Sequence, residues 1–376
     1  MKLHRALSYT VLLLTSGAFA TPESSYNMPR GVTPVSNDIH WLHMTIFWIC
    51  VAIGVVVFGV MIYSLIMHRK SRGFKADKFH EHTALEIVWA VVPFLILVGM
   101  AIPATKVLIR MDDTSQSDLT IKITGYQWKW QYTYLDQGID FFSNLSTPVD
   151  QIHNKVAKNP NYLLEVDNPM VVPINKKIRL LVTANDVIHS WWVPELGVKR
   201  DGIPGFINES WAKITKPGIY RGQCTELCGV NHAYMPVVVK AVTEPEFEEW
   251  LASQRRKTAE AEAASGKTYT YDEMYAAGEK IYNNKCSACH QINGAGLAPV
   301  FPALKGSSAA TGPADVTIRK LLYGVDGSAM QAFENQLTSY EIAAVVTYVR
   351  NAWGNNTGDT IQPAEVIKVQ AQGKPK

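Results

Sequence analysis

Charge is sparse in this chain. Asp, Glu, Lys and Arg make up 18% of it, and the formal net charge is only +3. No basic run accompanies that small excess, which argues against nucleic acid as a partner. No repeat period is evident. With 47% hydrophobic residues, the composition is neither that of a disordered chain nor that of a polytopic transporter. Cysteine and histidine are also few, five and ten, so each can be placed individually. At 376 residues the chain exceeds one ordinary domain, and a prior of roughly 150 residues per domain suggests two or three units.

Residues 1–20 carry Lys2 and Arg5, an apolar stretch and a closing Ala18-Phe19-Ala20, the pattern of a cleaved signal peptide. No Cys follows the cut, so a lipoprotein anchor is not indicated. Residues 41–67 contain no Lys, Arg, Asp or Glu and are long enough to span a bilayer. Residues 84–109 form a second such stretch, interrupted only by Glu86 and Lys106. The connector 68–83 holds Arg69, Lys70, Arg72, Lys75 and Lys78, whereas segment 21–40 has Arg30 as its one basic residue. The positive-inside rule therefore puts the connector in the cytoplasm and both chain ends outside. Pro93 is tolerable in a membrane helix, and Cys50 reads as a packing residue.

Residues 118–243 read as β-rich, with alternating runs punctuated by Pro194, Pro204 and Pro217-Gly218. A sandwich or barrel fits that length. Residues 244–270 are rich in Glu, Arg, Lys and Ala and read as a short helix running into a solvated linker. Residues 271–354 are helical at both ends, and Thr338 with Glu341 forms a capping-box pattern before an amphipathic run. Residues 355–376 read as a loose polar tail.

Two clusters carry chemistry. Cys224, Cys228, His232 and Met235 offer soft ligands on one loop, with Glu226 between the thiols, a set that favours copper or zinc over hard cations. His189 joins them by elimination: beyond the hairpin the remaining histidines are His153, in a polar insert, and His290, which belongs to the second cluster. A Cys224–Cys228 disulfide or a structural Cys2His2 zinc site compete with this reading. A disulfide leaves the ordered His and Met unexplained, and zinc leaves Met235 idle. The second cluster, Cys286-Ser-Ala-Cys289-His290, is the covalent attachment signature of c-type haem. Met330, the one Met after His290, is the candidate second axial ligand, a pairing that raises a haem's potential.

Cys-x-Glu-x-Cys-Gly-x-x-His-x-x-Met, preceded by Asp-x-x-His-Ser-Trp-x-Val-Pro, resembles the binuclear copper site of subunit II of the haem-copper cytochrome c oxidases. The resemblance extends over both spans and the β-rich region. It implies two coppers bridged by Cys224 and Cys228, completed by His189, His232, Met235 and the carbonyl of Glu226. The Glu226 side chain would reach a magnesium ion shared with subunit I. In Tyr126-Gln127-Trp128-Lys129-Trp130-Gln131-Tyr132, the resemblance makes Trp128 the point where electrons enter, while Trp130 and Tyr132 read as packing residues. Glu86 matches a carboxylate at the mouth of a proton pathway and could equally be a headgroup-region residue. Phe206 stands where the family commonly has Arg. Residues 271–354 resemble a class I cytochrome c, with Gly278 and Tyr282 on the first helix and Pro299 expected to orient His290; Gln331 stands where Pro is common.

The implied fold class is multidomain: a two-helix transmembrane hairpin, an all-β cupredoxin-like sandwich or barrel, and an all-α class I cytochrome c domain. The whole resembles subunit II of a caa-type oxidase. That implies one covalently attached haem c, a binuclear copper centre, and electron passage from cytochrome c or a bc-type complex to the a-type haem of subunit I, where oxygen becomes water. Subunit I, further oxidase subunits and the bacterial inner membrane are the expected partners, with both soluble domains on the periplasmic side. A linker of about 25 residues would hold the haem domain at an effective concentration near millimolar. The competing readings are a membrane-anchored copper and haem shuttle acting without an oxidase, and a quinol oxidase docking subunit lacking copper.

Overall fold

The structure is a computed structural model, which describes residues 27–75, 80–299, 301–325, 328, 330–334 and 336–374. The expected signal segment lies outside the described residues. Helix α1, Pro34–Met67, opens with a capping box in which Thr33 and Ser36 exchange hydrogen bonds and Pro34 sets the first turn. Helix α2, Thr83–Asp112, contains Pro93 and Pro103. Both are long and apolar enough to cross a membrane. α1 starts about two turns before the apolar stretch read from sequence, and these turns reach the β domain. Val35 and Ser36 are buried, and the Thr33 hydroxyl donates to the Leu196 carbonyl at 2.8 Å.

The β domain consists of two five-stranded sheets. The first contains β1 (Leu119–Tyr126), β2 (Lys129–Tyr134), β3 (Ile139–Ser143), β5 (Ile178–Ala184) and β8 (Asn208–Ala212), in the order β3-β2-β1-β5-β8. The second contains β4 (Met170–Pro173), β6 (His189–Val193), β7 (Val198–Gly202), β9 (Gly218–Cys224) and β10 (Pro236–Val242), in the order β4-β10-β9-β6-β7. β1 runs parallel to β5, and β4 to β10; the other pairings are antiparallel. Alternation drives the packing: Leu119, Ile121 and Ile123 of β1 and Ile178, Leu180 and Val182 of β5 point into one core with Val237 and Val239 of β10. Trp130 and Tyr132 are fully buried there, as packing residues should be. The insert between β3 and β4 carries a single helical turn, α3, Val149–Ile152.

The chain then differs from the reading of a short helix and solvated linker. Residues Glu244–Ser265 form one continuous 22-residue helix, α4, about 33 Å long at ~1.5 Å per residue. Its start is fixed by a Thr243–Glu246 capping box and Pro245, and its later turns are built from Ala, Glu, Gln, Arg and Lys, which are strong helix formers. Phe247 and Leu251 are buried against the β core, and Trp250 packs on Tyr134 with ring centroids 5.0 Å apart.

The C-terminal domain packs α5 (Tyr271–Lys285) across α9 (Ser339–Asn351), with α8 (Ala314–Tyr323) alongside and the short turns α6 (Ser287–His290) and α7 (Ser308–Thr311) between them. α5 and α9 cross at Gly278, where a Cβ would lie 2.1 Å from the Ala344 carbonyl oxygen. Thr338 and Glu341 do cap α9. The segment expected as a loose tail instead contains α10, Pro363–Ala371, whose Val366 and Val369 are buried with Ile361 in the helical core. Val, Ile and Pro residues among the polar ones give it an apolar stripe. Gln362 bonds both the N–H and the carbonyl of Tyr269, stitching this segment to the start of the domain.

Candidate metal and haem sites

The first site forms where β6 and β9 pair. Trp191 opposite Cys224 sets the register that brings His189, two residues earlier on β6, beside the loop after β9. His189, Cys224 and Cys228 place their ligand atoms within 4.8 Å of one another, all buried. The two sulfurs lie 3.8 Å apart, His189 Nδ1 is 4.0 Å from Cys224 Sγ, and His232 Nδ1 is 3.5 Å from Cys228 Sγ. The Glu226 carbonyl is 3.4 Å from Cys224 Sγ, while its side chain faces solvent. Met235 is buried, and its carbonyl accepts from the Cys224 N–H at 2.9 Å. Soft sulfur and imidazole donors in one buried pocket fit copper ions.

The surroundings prepare these donors. Asp186 accepts from His189 Nε2 at 2.8 Å and from the N–H groups of Gln127 and Val187 at 2.7 Å each. Burial would raise its pKa, but these bonds keep it below the ordinary carboxylate value. Burial likewise opposes charge on His189, yet Asp186 and Cys224 hold its pKa above the usual value. The hydrogen bond from Cys228 pulls the Cys224 thiol below the ordinary range and holds Cys228 up. Asp186 thus orients the imidazole from its far nitrogen, as outer partners of metal-bound histidines do.

Trp128 sits between this site and the next. Its indole N–H donates to the Cys228 carbonyl at 3.1 Å, and the Gln127 side-chain amide donates to the same oxygen at 2.8 Å. Gly229, with φ +116°, lets the copper loop turn over the indole; a Cβ there would lie 3.0 Å from Trp128 Cζ2.

The second site is a cavity of about 950 Å³ whose walls include Cys286, Cys289, His290 and Met330, with Leu321, Val345, Val346 and Val349 as apolar lining. Both thiols, the imidazole and the thioether thus share one largely apolar space, which fits a covalently attached haem. Burial pushes the Cys286 thiol up to about 12. His290 Nδ1 is 2.9 Å from the Pro302 carbonyl, so Pro302, rather than the expected Pro299, orients the ring. Trp128 and Lys129 of the β domain line the same cavity, as does His153, which the sequence left outside both sites. Glu86 lies in the first turn of α2, where its carboxylate accepts from the His82 N–H at 3.2 Å, a capping contact far in sequence and role from the other residues.

A membrane-anchored cupredoxin-like domain joined to a c-type cytochrome domain defines the class. Residues 119–242 match the family model for the periplasmic domain of cytochrome c oxidase subunit II, and residues 21–107 match its transmembrane domain. Residues 273–349 match the model for subunit III of cbb3-type cytochrome c oxidase. The probable cytochrome c oxidase subunit 2 of Rickettsia bellii (strain RML369-C) is 36% identical over 255 residues, 67% of this chain and 93% of that protein. Cytochrome c oxidase subunit 2 of Cereibacter sphaeroides is 38% identical over 241 residues, covering 61% of this chain and 80% of that one. The crystal structure of the periplasmic domain of subunit II of cytochrome oxidase of Bradyrhizobium japonicum is 46% identical, with 38% of this chain and 98% of that chain covered and a TM-score of 0.35. The chain belongs to the cytochrome c oxidase subunit II family. It is a membrane-anchored component of the oxidase, extended by a cytochrome c-type domain.

Proposed function

We propose that this chain is the electron-input subunit of a terminal respiratory oxidase, receiving electrons from a cytochrome c or a bc-type complex at its own haem domain and handing them through its copper domain to subunit I. The observation that carries this reading is the position of Trp128: one side chain bonds the carbonyl of Cys228 at 3.1 Å and also lines the cavity of Cys286, Cys289, His290 and Met330. When bound, a haem and a copper pair would supply one-electron chemistry.

In this reading Cys224, Cys228, His189, His232, Met235 and the Glu226 carbonyl would hold a binuclear copper centre, and the exposed Glu226 carboxylate would serve a magnesium ion shared with subunit I. Cys286 and Cys289 would hold a single haem covalently, and His290 and Met330 would ligate its iron. Asp186 orients His189, and the Pro302 carbonyl does the same for His290. Leu321, Val345, Val346 and Val349 give the haem cavity an apolar wall. The basic connector 68–83 supports a cytoplasmic turn, with both soluble domains on the periplasmic side. Glu86 is assigned the mouth of a proton pathway into subunit I. Domain limits of 118–243 for the copper unit and 271–354 for the haem unit belong to the same proposal.

Trp128→Phe in the assembled oxidase tests it. Copper and haem content stay unchanged, while oxidation of the c haem slows on the order of tenfold, because the indole link is lost from a geometry-sensitive step. An unaltered rate removes Trp128 from the route. The intact copper ligand set argues against a quinol oxidase subunit.

A further inference from the structure

Lys129, next to Trp128, is in an unusual place for a lysine. It is the first residue of β2 and only 9% exposed, and among the described residues no carboxylate pairs with it. Its ammonium lies 5.1 Å from the ring centroid of Phe142 on β3 and 5.0 Å from that of Phe333 in the haem domain, and it donates to the Gln336 side-chain carbonyl. Two of these three contacts come from the loop that follows Met330. Without the haem domain, the Phe142 ring would remain as its neighbour.

A second contact uses the same loop. Gln331, the residue standing where Pro is common after the axial Met, donates from its side-chain amide to the Gln127 carbonyl. A proline could not make that bond. Farther along the interface, Lys285 pairs with Asp167 at 3.2 Å, and Asp167 in turn holds Asn144 of the insert. The loop after Met330 is thus attached to the residues on either side of Trp128, by Gln331 before it and by Lys129 after it.

We propose that Lys129 is a positioning residue: with Gln331 and Gln336 it forms an intramolecular latch that seats the Met330 loop on the Trp128 strand and holds the haem cavity against the copper domain. This rests on the electron route proposed above. The face occupied by the latch is then reserved for the chain's own haem domain, and a soluble donor must approach that domain from another side.

Lys129→Met, Lys129→Arg and Gln336→Ala in the assembled oxidase test the latch, with oxidation of the c haem followed after CO photolysis of the fully reduced enzyme in oxygen. The expected result for Lys129→Met is a rate lower by about tenfold, equivalent to ~1.4 kcal/mol of docking, at unchanged copper and haem content. Lys129→Arg, which keeps the charge and can stack on both rings, recovers the rate. Hydrogen exchange of residues 331–337 is the independent readout. It rises in Lys129→Met and in Gln336→Ala, the latter carrying its substitution outside the copper domain. Wild-type rate and wild-type exchange in Lys129→Met overturn the latch. Cys224→Ser separates the two proposals: if c-haem oxidation in that variant matches the wild type, the copper route itself has failed, whatever Lys129 does.

Discussion

Single residues decide how each centre is tuned. Met330 reaches the haem cavity from a loop, and the helix α9 that follows carries its own capping box. Met330→Ala should therefore leave haem covalently attached while lowering its midpoint potential, a change read by redox titration of the visible spectrum. Loss of attachment would mean the methionine is structural. The candidate donors at both sites stand out in the sequence because their chemistry is rare and their spacing local: Cys224 to Met235 lies on one loop, and Cys286 to His290 on one turn. His189 was reachable only by elimination, since strand pairing, not spacing, brings it to Cys224. Lys129 could not be read at all. In sequence it is a polar residue in an alternating strand, and its burial arises from contacts more than 200 positions away with Phe333 and Gln336. Burial and the nearby charge of Lys285 push its pKa down to about 7, well below that of a solvated lysine.

Among the elements, α4 departs furthest from expectation. Its Glu, Arg, Lys and Ala content reads equally well as a solvated linker or a helix; the capping box and the anchors Phe247 and Leu251 decide for the helix. Ala259 and Ala263 are exposed on its outer half. Replacing both with Gly should cost about 2 kcal/mol of helix stability, at ~1 kcal/mol each. Faster hydrogen exchange over residues 255–265 and a broader small-angle scattering profile of the detergent-solubilised protein would register the loss, with copper content unchanged. An unchanged scattering profile would show that the interface alone fixes the haem domain. α10 escaped notice for a related reason. Its stripe is three or four apolar residues in a polar segment, too short for periodicity to stand out, and packing against Ile342 and Val346 of α9 gives it its order.

At the scale of the whole molecule, the β domain and α4 share one core. A chain ended after residue 265 should fold as a copper-binding domain on its membrane hairpin, whereas one ended after residue 243 exposes the surface that Phe247 and Leu251 cover. With each side chain worth about 1.5–3 kcal/mol on burial, the shorter form should be less stable by roughly 3–6 kcal/mol, a difference measurable by chemical denaturation. Equal midpoints would make α4 a mere spacer. The membrane hairpin and the two soluble units were legible from the sequence as regions; their mutual placement was not, because it depends on a few long-range polar contacts rather than on local pattern. The continuity of α4 also restricts how this molecule can vary. A helix turns about 100° per residue, so adding one residue between Leu251 and Ser265 would swing the cytochrome around the rod and carry its cavity away from the indole, whereas adding seven would return it to within about 20° of its starting azimuth. Spacer length in such a fusion is therefore constrained twice, by helical phase and by the ~1.5 Å of rise that each added residue contributes.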